Sequence, residues 1–209
     1  MTFSIVARDP ETGALGVAVS TAVPCVGALC PHVRAGVGAI ATQSYVNVAL
    51  GTDGLALLER GLSPEAALAA LLTEDSAASR RQWGAVDAKG RVHAYSGDDC
   101  VEWFGTWPEP GKQYSVQGNM LVGPEVVQDM ARAFEASSGR LLAERLVLAL
   151  EAGQAAGGDK RGRVSAALLT TVEPGQHHAF DIRVDEHAVP VVELRRIFDL
   201  LVERRRAST

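Results

Sequence analysis

Apolar and polar positions alternate from the second residue onward. Phe3, Ile5 and Ala7 fall on one face and Thr2, Ser4, Val6 and Arg8 on the other, the period of a strand. Asp9-Pro10-Glu11-Thr12-Gly13 supplies a turn, and Ala14 to Thr21 predicts the returning strand of a hairpin. A Pro- and Gly-bounded loop over Pro24–Pro31 leads to Val33–Gln43, read as one buried strand whose glycines permit close backbone approach. The pattern then turns helical. Asp53–Arg60 stops at Gly61, and Ser63-Pro64-Glu65 opens a second helix with an N-cap, a first-position proline and an acid in the first turn.

Trp83–Asp87 and Arg91–Ser96, joined at Ala88-Lys89-Gly90, predict a second hairpin, and Tyr114–Leu121 reads as a strand or a crossing loop. Helices are expected at Pro124–Ser137 and Arg140–Ala155, strands at Ser165–Val172 and His178–Asp185, and a last helix at Val191–Arg205. Strands and helices come in blocks, which favours an α+β layered fold over an alternating parallel sheet.

Composition narrows the function classes. The chain has 209 residues, 47% of them hydrophobic and 22% charged, and fits a single domain spanning 1–209. A net charge of −5 gives no electrostatic case for nucleic acid or an anionic membrane. No apolar run reaches the roughly 20 residues that span a bilayer, and no signal-peptide pattern is visible, so a cytoplasmic location is expected. Three cysteines, Cys25, Cys30 and Cys100, do not make a disulfide framework.

Several clusters bear on chemistry. Gly36-x-Gly38-x-x-Ala41 copies a dinucleotide fingerprint without its strand and helix, so no cofactor is expected. Cys25, Cys30 and His32 lack the spacing of a metal knuckle, and no metal is expected. Asp181, Arg183, Asp185 and His187 share one strand face, which suits an ion-pair ladder better than a ligand set. The polar loop Gly157–Gly162, with Asp159, Arg161 and the following Ser165, reads equally as a substrate loop or a solvated turn. Gln43, Asn47, Gln117 and Asn119 stand beside strand ends, where amides can bind a substrate or an oxyanion without titrating. A threonine that becomes the first residue carries its own base, the α-amino group, with a pKa of roughly 7.7–8.0.

Taken together, the runs Thr2–Asp9, Gly13–Val19, Arg34–Gln43, Ser115–Asn119, Glu151–Asp159 and Arg183–Asp185 resemble a bacterial and archaeal family of unknown function placed among the N-terminal nucleophile (Ntn) hydrolases. The resemblance implies a four-layer αββα sandwich, two antiparallel sheets covered by helices. It also implies an amidohydrolase acting without a cofactor on a small amide or peptide-like substrate. Thr2 would be the nucleophile once Met1 is removed. By analogy with proteasome β-subunits, Arg34 would take the place of a catalytic lysine and Ser20 that of the aspartate holding it. Arginine stays protonated and could orient or stabilise charge but not act as base. Trp103-Phe104-Gly105-Thr106 stands where Trp-Ala-Gly-His is expected in relatives. A non-catalytic ligand-binding or assembly module on the same scaffold is the other reading these departures leave open. Relatives commonly oligomerise, which implies a homodimer or larger assembly.

Overall fold

The computed structural model describes residues 2–107, 112–172 and 179–207. The initiator Met1 and the first residue of the expected strand His178–Asp185 lie outside them. Among the described residues, ten strands form two antiparallel sheets. In chain order they are β1 (Thr2–Arg8), β2 (Leu15–Thr21), β3 (Pro31–Arg34), β4 (Gly38–Ser44), β5 (Arg81–Asp87), β6 (Val92–Ser96), β7 (Gly105–Trp107), β8 (Tyr114–Asn119), β9 (Ser165–Thr170) and β10 (Asp181–Val184). The first sheet has six strands in the order β10-β9-β2-β1-β8-β7, and the second has four in the order β3-β4-β5-β6.

Among the described residues, five α-helices cover the outer faces: α1 (Ala49–Glu59), α2 (Pro64–Leu72), α3 (Glu125–Ala136), α4 (Leu142–Ala155) and α5 (Pro190–Ala207). Helices α1 and α2 pack on the four-stranded sheet through Leu50, Leu55, Leu58 and Leu68 against Ile40, Trp83 and Ala85. Helices α3, α4 and α5 cover the larger sheet, with Phe3, Ile5 and Ala7 meeting Met130, Phe134, Leu146 and Phe198. The opposite face of β1 turns inward, so Val6, Val17, Val19, Ala39, Ala41 and Val86 fill the space between sheets. The result is an αββα sandwich, as the resemblance implies.

The sequence pattern misses two features that shape the site. Val33–Gln43 is a hairpin, not one strand: β3 pairs with β4 from Pro31↔Ala41 to Arg34↔Gly38, and Gly36 at φ +71° makes the turn. Small apolar residues on both sides of that turn hide it from hydrophobic periodicity. The first helix begins at Ala49, four residues earlier than the sequence indicates, because Gly51 looks like a loop residue and is helical.

Candidate functional site

Strand pairing places a row of short polar side chains across one end of the larger sheet. Thr2 lies opposite Thr21 on one side and Asn119 on the other, and Thr21 lies opposite Ser165. Directly opposed residues of antiparallel strands point to the same face. Thr2 shares its face with Ser4 and Val6, so this row looks into the space between the sheets. Thr2 Oγ1 lies 3.2 Å from Thr21 Oγ1.

Behind the row is a buried network of amides and hydroxyls that joins the two sheets. Ser4 donates to Gln43 Oε1 at 2.7 Å, and Gln117 Nε2 donates to Ser4 Oγ at 2.6 Å. Gln43 Nε2 donates to Gln82 Oε1 at 2.7 Å and lies 3.5 Å from the carbonyl oxygen of Thr2. The same Gln82 oxygen accepts Asn119 Nδ2 at 2.8 Å, while Gln82 Nε2 donates to Ser96 Oγ and to the Gly118 carbonyl, each at 2.7 Å. Gln43, Gln82 and Gln117 are completely inaccessible. The Gln43 and Gln82 amides each accept through oxygen and donate more than once through nitrogen, and so position their neighbours. Asn119 gives an amide N–H to Gln82 and lies directly opposite Thr2.

Gln82 is the member that sequence reasoning misses, since the expected strand starts one residue later at Trp83. The usable signal is the alternation Gln82, Gly84, Val86 on the inward face of β5. Gly84 leaves the space that Gln117 fills, and a Cβ there would lie 2.1 Å from Gln117 Oε1.

The polar loop joins this end of the sandwich. Asp159 is buried, accepts the Ala22 N–H at 3.0 Å and the Arg161 N–H at 2.8 Å, and lies 3.4 Å from the Arg161 guanidinium. Ser165 donates to the Val23 carbonyl at 2.6 Å and accepts the Val26 N–H at 3.2 Å. Both side chains frame the exit of β2 and hold its loop.

Two expected site residues are placed elsewhere, and a third shares this end of the fold but is turned to other partners. Arg34 lies at the far end of β3, half-exposed and paired with Glu59 at 2.8 Å. Its partner Gly38 is five residues along β4 from Gln43, roughly 16 Å of extended strand. The turn at Gly36 leaves Arg34 at the end of the hairpin opposite the exit of β4. Ser20 faces the helix layer, on the opposite side of β2 from Thr21, and donates to the Ser165 carbonyl at 3.3 Å. Asn47 sits in the loop after β4, where it accepts the Ala49 N–H and approaches Asp75 at 3.5 Å.

Titratable groups around Thr2 are few. Burial pushes the Cys30 thiol far above its ordinary range, opposed by a hydrogen bond to Thr42, so it is no thiolate. Burial also raises Cys100. His32 and His93 lie on the helix-facing side of the smaller sheet, and burial lowers both. Lys160 donates to the Glu102 carbonyl at 2.8 Å. Among the described residues, no group of three or more His, Cys, Asp or Glu side chains could hold a metal ion. The dinucleotide-like glycines form the β3–β4 turn, and Arg183 pairs with Asp185 at 3.1 Å on β10.

The architecture is thus an αββα sandwich with a polar end centred on Thr2. The chain belongs to the family of unknown function DUF1028, whose sequence profile matches residues 2–194. A crystal structure of the DUF1028 protein SPO2555 from Silicibacter pomeroyi is similar to it at a TM-score of 0.85 and 32% identity, over 95% of this chain and 88% of that one. Anbu (ancestral beta-subunit) from Yersinia bercovieri aligns over 99% of this chain and 97% of its own, at 11% identity and a TM-score of 0.41, a likeness too slight to bear on function. No curated protein matches the chain. No helix among the described residues is long and apolar enough to cross a membrane.

Proposed function

We propose that the protein is an Ntn-type amidohydrolase cleaving a small or peptide-like amide, with Thr2 as nucleophile after excision of Met1. One observation carries the reading. The Thr2 hydroxyl stands at the mouth between the sheets beside Asn119 and Thr21, in a described neighbourhood whose histidines face away and whose buried thiols, Cys30 and Cys100, are pushed up by burial. The base this reading calls on is the α-amino group that excision would free.

In the reaction the Thr2 Oγ–H proton passes to that amine as Oγ bonds to the substrate carbonyl carbon. The C–N bond then breaks, and the leaving nitrogen takes the proton. Water hydrolyses the resulting threonyl ester and regenerates both groups. Asn119, with its amide plane fixed by Gln82, is the candidate oxyanion donor, and an oriented donor of this kind contributes about 3 kcal/mol to transition-state stabilisation.

The experiment is mass spectrometry of the N-terminus, followed by an amide-substrate screen of processed protein beside Thr2→Ala. Hydrolysis lost in the variant supports the reading, and Met1 retained in full on protein from its native host ends it. A second reading, a non-catalytic binding or assembly module, is favoured by the 6% exposure of Thr2. Amide binding without turnover by processed protein is its outcome in the same screen.

A further inference from the structure

Exposed apolar side chains are unevenly spread. Seven of the ten large hydrophobic residues exposed among the described residues lie at the Thr2 end. Val23 follows the exit of β2, Leu29 precedes Cys30, and Tyr45, Val46 and Val48 follow the exit of β4 beyond Gln43. Val101 and Val122 sit on either side of the β8 exit, where the Met120 N–H bonds the Val101 carbonyl and the Val122 N–H bonds that of Gly158. Their exposure runs from 38% at Val46 and Val48 to 53% at Tyr45.

These segments are held in place. Arg81 donates to Asp75 through Nε at 2.8 Å and Nη2 at 2.9 Å, and also to the Tyr45 carbonyl, which fixes the loop after β4. Ser165 grips the Val23–Val26 segment from both sides. The non-glycine residues with positive φ among those described are Cys25 at 62°, Ser44 at 69° and Met120 at 52°, one in each rim segment that leaves β2, β4 and β8. Such backbone persists only where its surroundings determine it, and it gathers at binding sites. Several charges at this end are drawn aside: Arg81 by Asp75, Arg161 by Asp159, and Arg80 over the Tyr45 ring at 4.2 Å. A rigid apolar rim around a small polar floor has the form of a preformed ligand site.

We infer that this rim selects a neutral amide flanked by apolar groups. The inference rests on the Thr2 reading for turnover, and binding tests it separately. Processed protein is assayed on matched peptide amides carrying leucine or phenylalanine, against aspartate or lysine, beside the scissile bond. Binding of the same amides to Thr2→Ala is measured by calorimetry. Val46→Asp and Val122→Asp are compared with Val192→Asp on α5 in both assays and by sedimentation.

The expected result is a preference of about tenfold or more for the apolar amides, reduced by Val46→Asp and Val122→Asp but not by Val192→Asp. Thr2-dependent turnover that favours charged amides overturns the apolar selection and leaves the nucleophile standing. Apolar amides bound but never cleaved overturn the nucleophile and leave the selection standing. Neither binding nor cleavage overturns both. A mass that falls on Val46→Asp identifies the rim as a contact between copies, and so overturns its role as a substrate site.

Discussion

At the scale of single residues, Gln82 is the hinge of the buried network. Its oxygen accepts two amides and its nitrogen donates to two oxygens, so one side chain satisfies groups from both sheets. Gln82→Leu would leave the Gln43 and Asn119 amides without their acceptor. The expected loss is about 2–4 kcal/mol, since at least two buried donors are orphaned. Urea unfolding measures it, and a loss below about 0.5 kcal/mol, the range of ordinary surface changes, would mean that water replaces the side chain. Gly84→Ala attacks the same network by volume, forcing Gln117 off Ser4. Overpacking of this kind costs about 1–3 kcal/mol. If the network positions Asn119, Gln82→Asn should lower kcat more than it raises KM on any amide the protein cleaves. Equal changes in both would point to general damage.

At the scale of elements, the loop after β4 depends on the Asp75–Arg81 pair. Hydrogen bonds from Arg81 hold the Asp75 carboxyl at about 2, against the cost of burial and with help from the Ala77 N–H. An unfolded aspartate titrates near ~3.9. The folded state therefore binds fewer protons across this interval, and the pair's contribution is complete above the unfolded value and lost as pH falls through the folded one. Wild-type protein should lose stability between about pH 4 and pH 2 more steeply than Asp75→Asn, as followed by the urea midpoint. Parallel slopes would show that other carboxylates govern acid unfolding.

The same elements show how far periodicity reaches. The β1–β2 hairpin, the Ser63-capped α2 and the β5–β6 hairpin are legible because turn formers separate strong alternating or helical patterns. The Ser63 hydroxyl accepts the Ala66 N–H at 3.2 Å, as its position before Pro64 suggests. The β3–β4 turn is not legible, because Ala35, Val37 and Ala39 read as strand. Arg34 stands beside that turn, and its expected role comes from analogy with proteasome β-subunits and not from the strand pattern. The importance of Gln43, Gln117 and Asn119 is visible from their places at strand ends, whereas Gln82 becomes visible only when the two sheets face one another.

At the scale of the whole molecule, α5 is a docked element. Phe198 is buried against Phe180 with ring centroids 5.0 Å apart, Arg205 lies over the Phe180 ring at 3.9 Å, and Arg195 holds Glu151 through two bonds of 2.8 and 2.9 Å. Phe198→Ala should cost about 3–5 kcal/mol, the range for a large aromatic removed from a core. A Tm unchanged in calorimetry would show that α5 is dispensable. A homodimer or larger assembly is expected in sedimentation, with Val192 and Leu200 the exposed apolar positions of α5. A clean monomer at high concentration would remove that expectation.

The central place of β1 also sets an order of events during synthesis. Its first neighbour, β2, is made at once, but the second, β8, pairs Asn119 with Thr2 and emerges more than a hundred residues later. A nascent chain halted near residue 107 therefore carries an open strand edge, and the apolar face of Phe3, Ile5 and Ala7 has no helix to cover it. The strand at the middle of the sheet is thus made well before the elements that enclose it, and until β8 and α4 follow, the β1–β2 hairpin keeps an edge open to pairing with other chains.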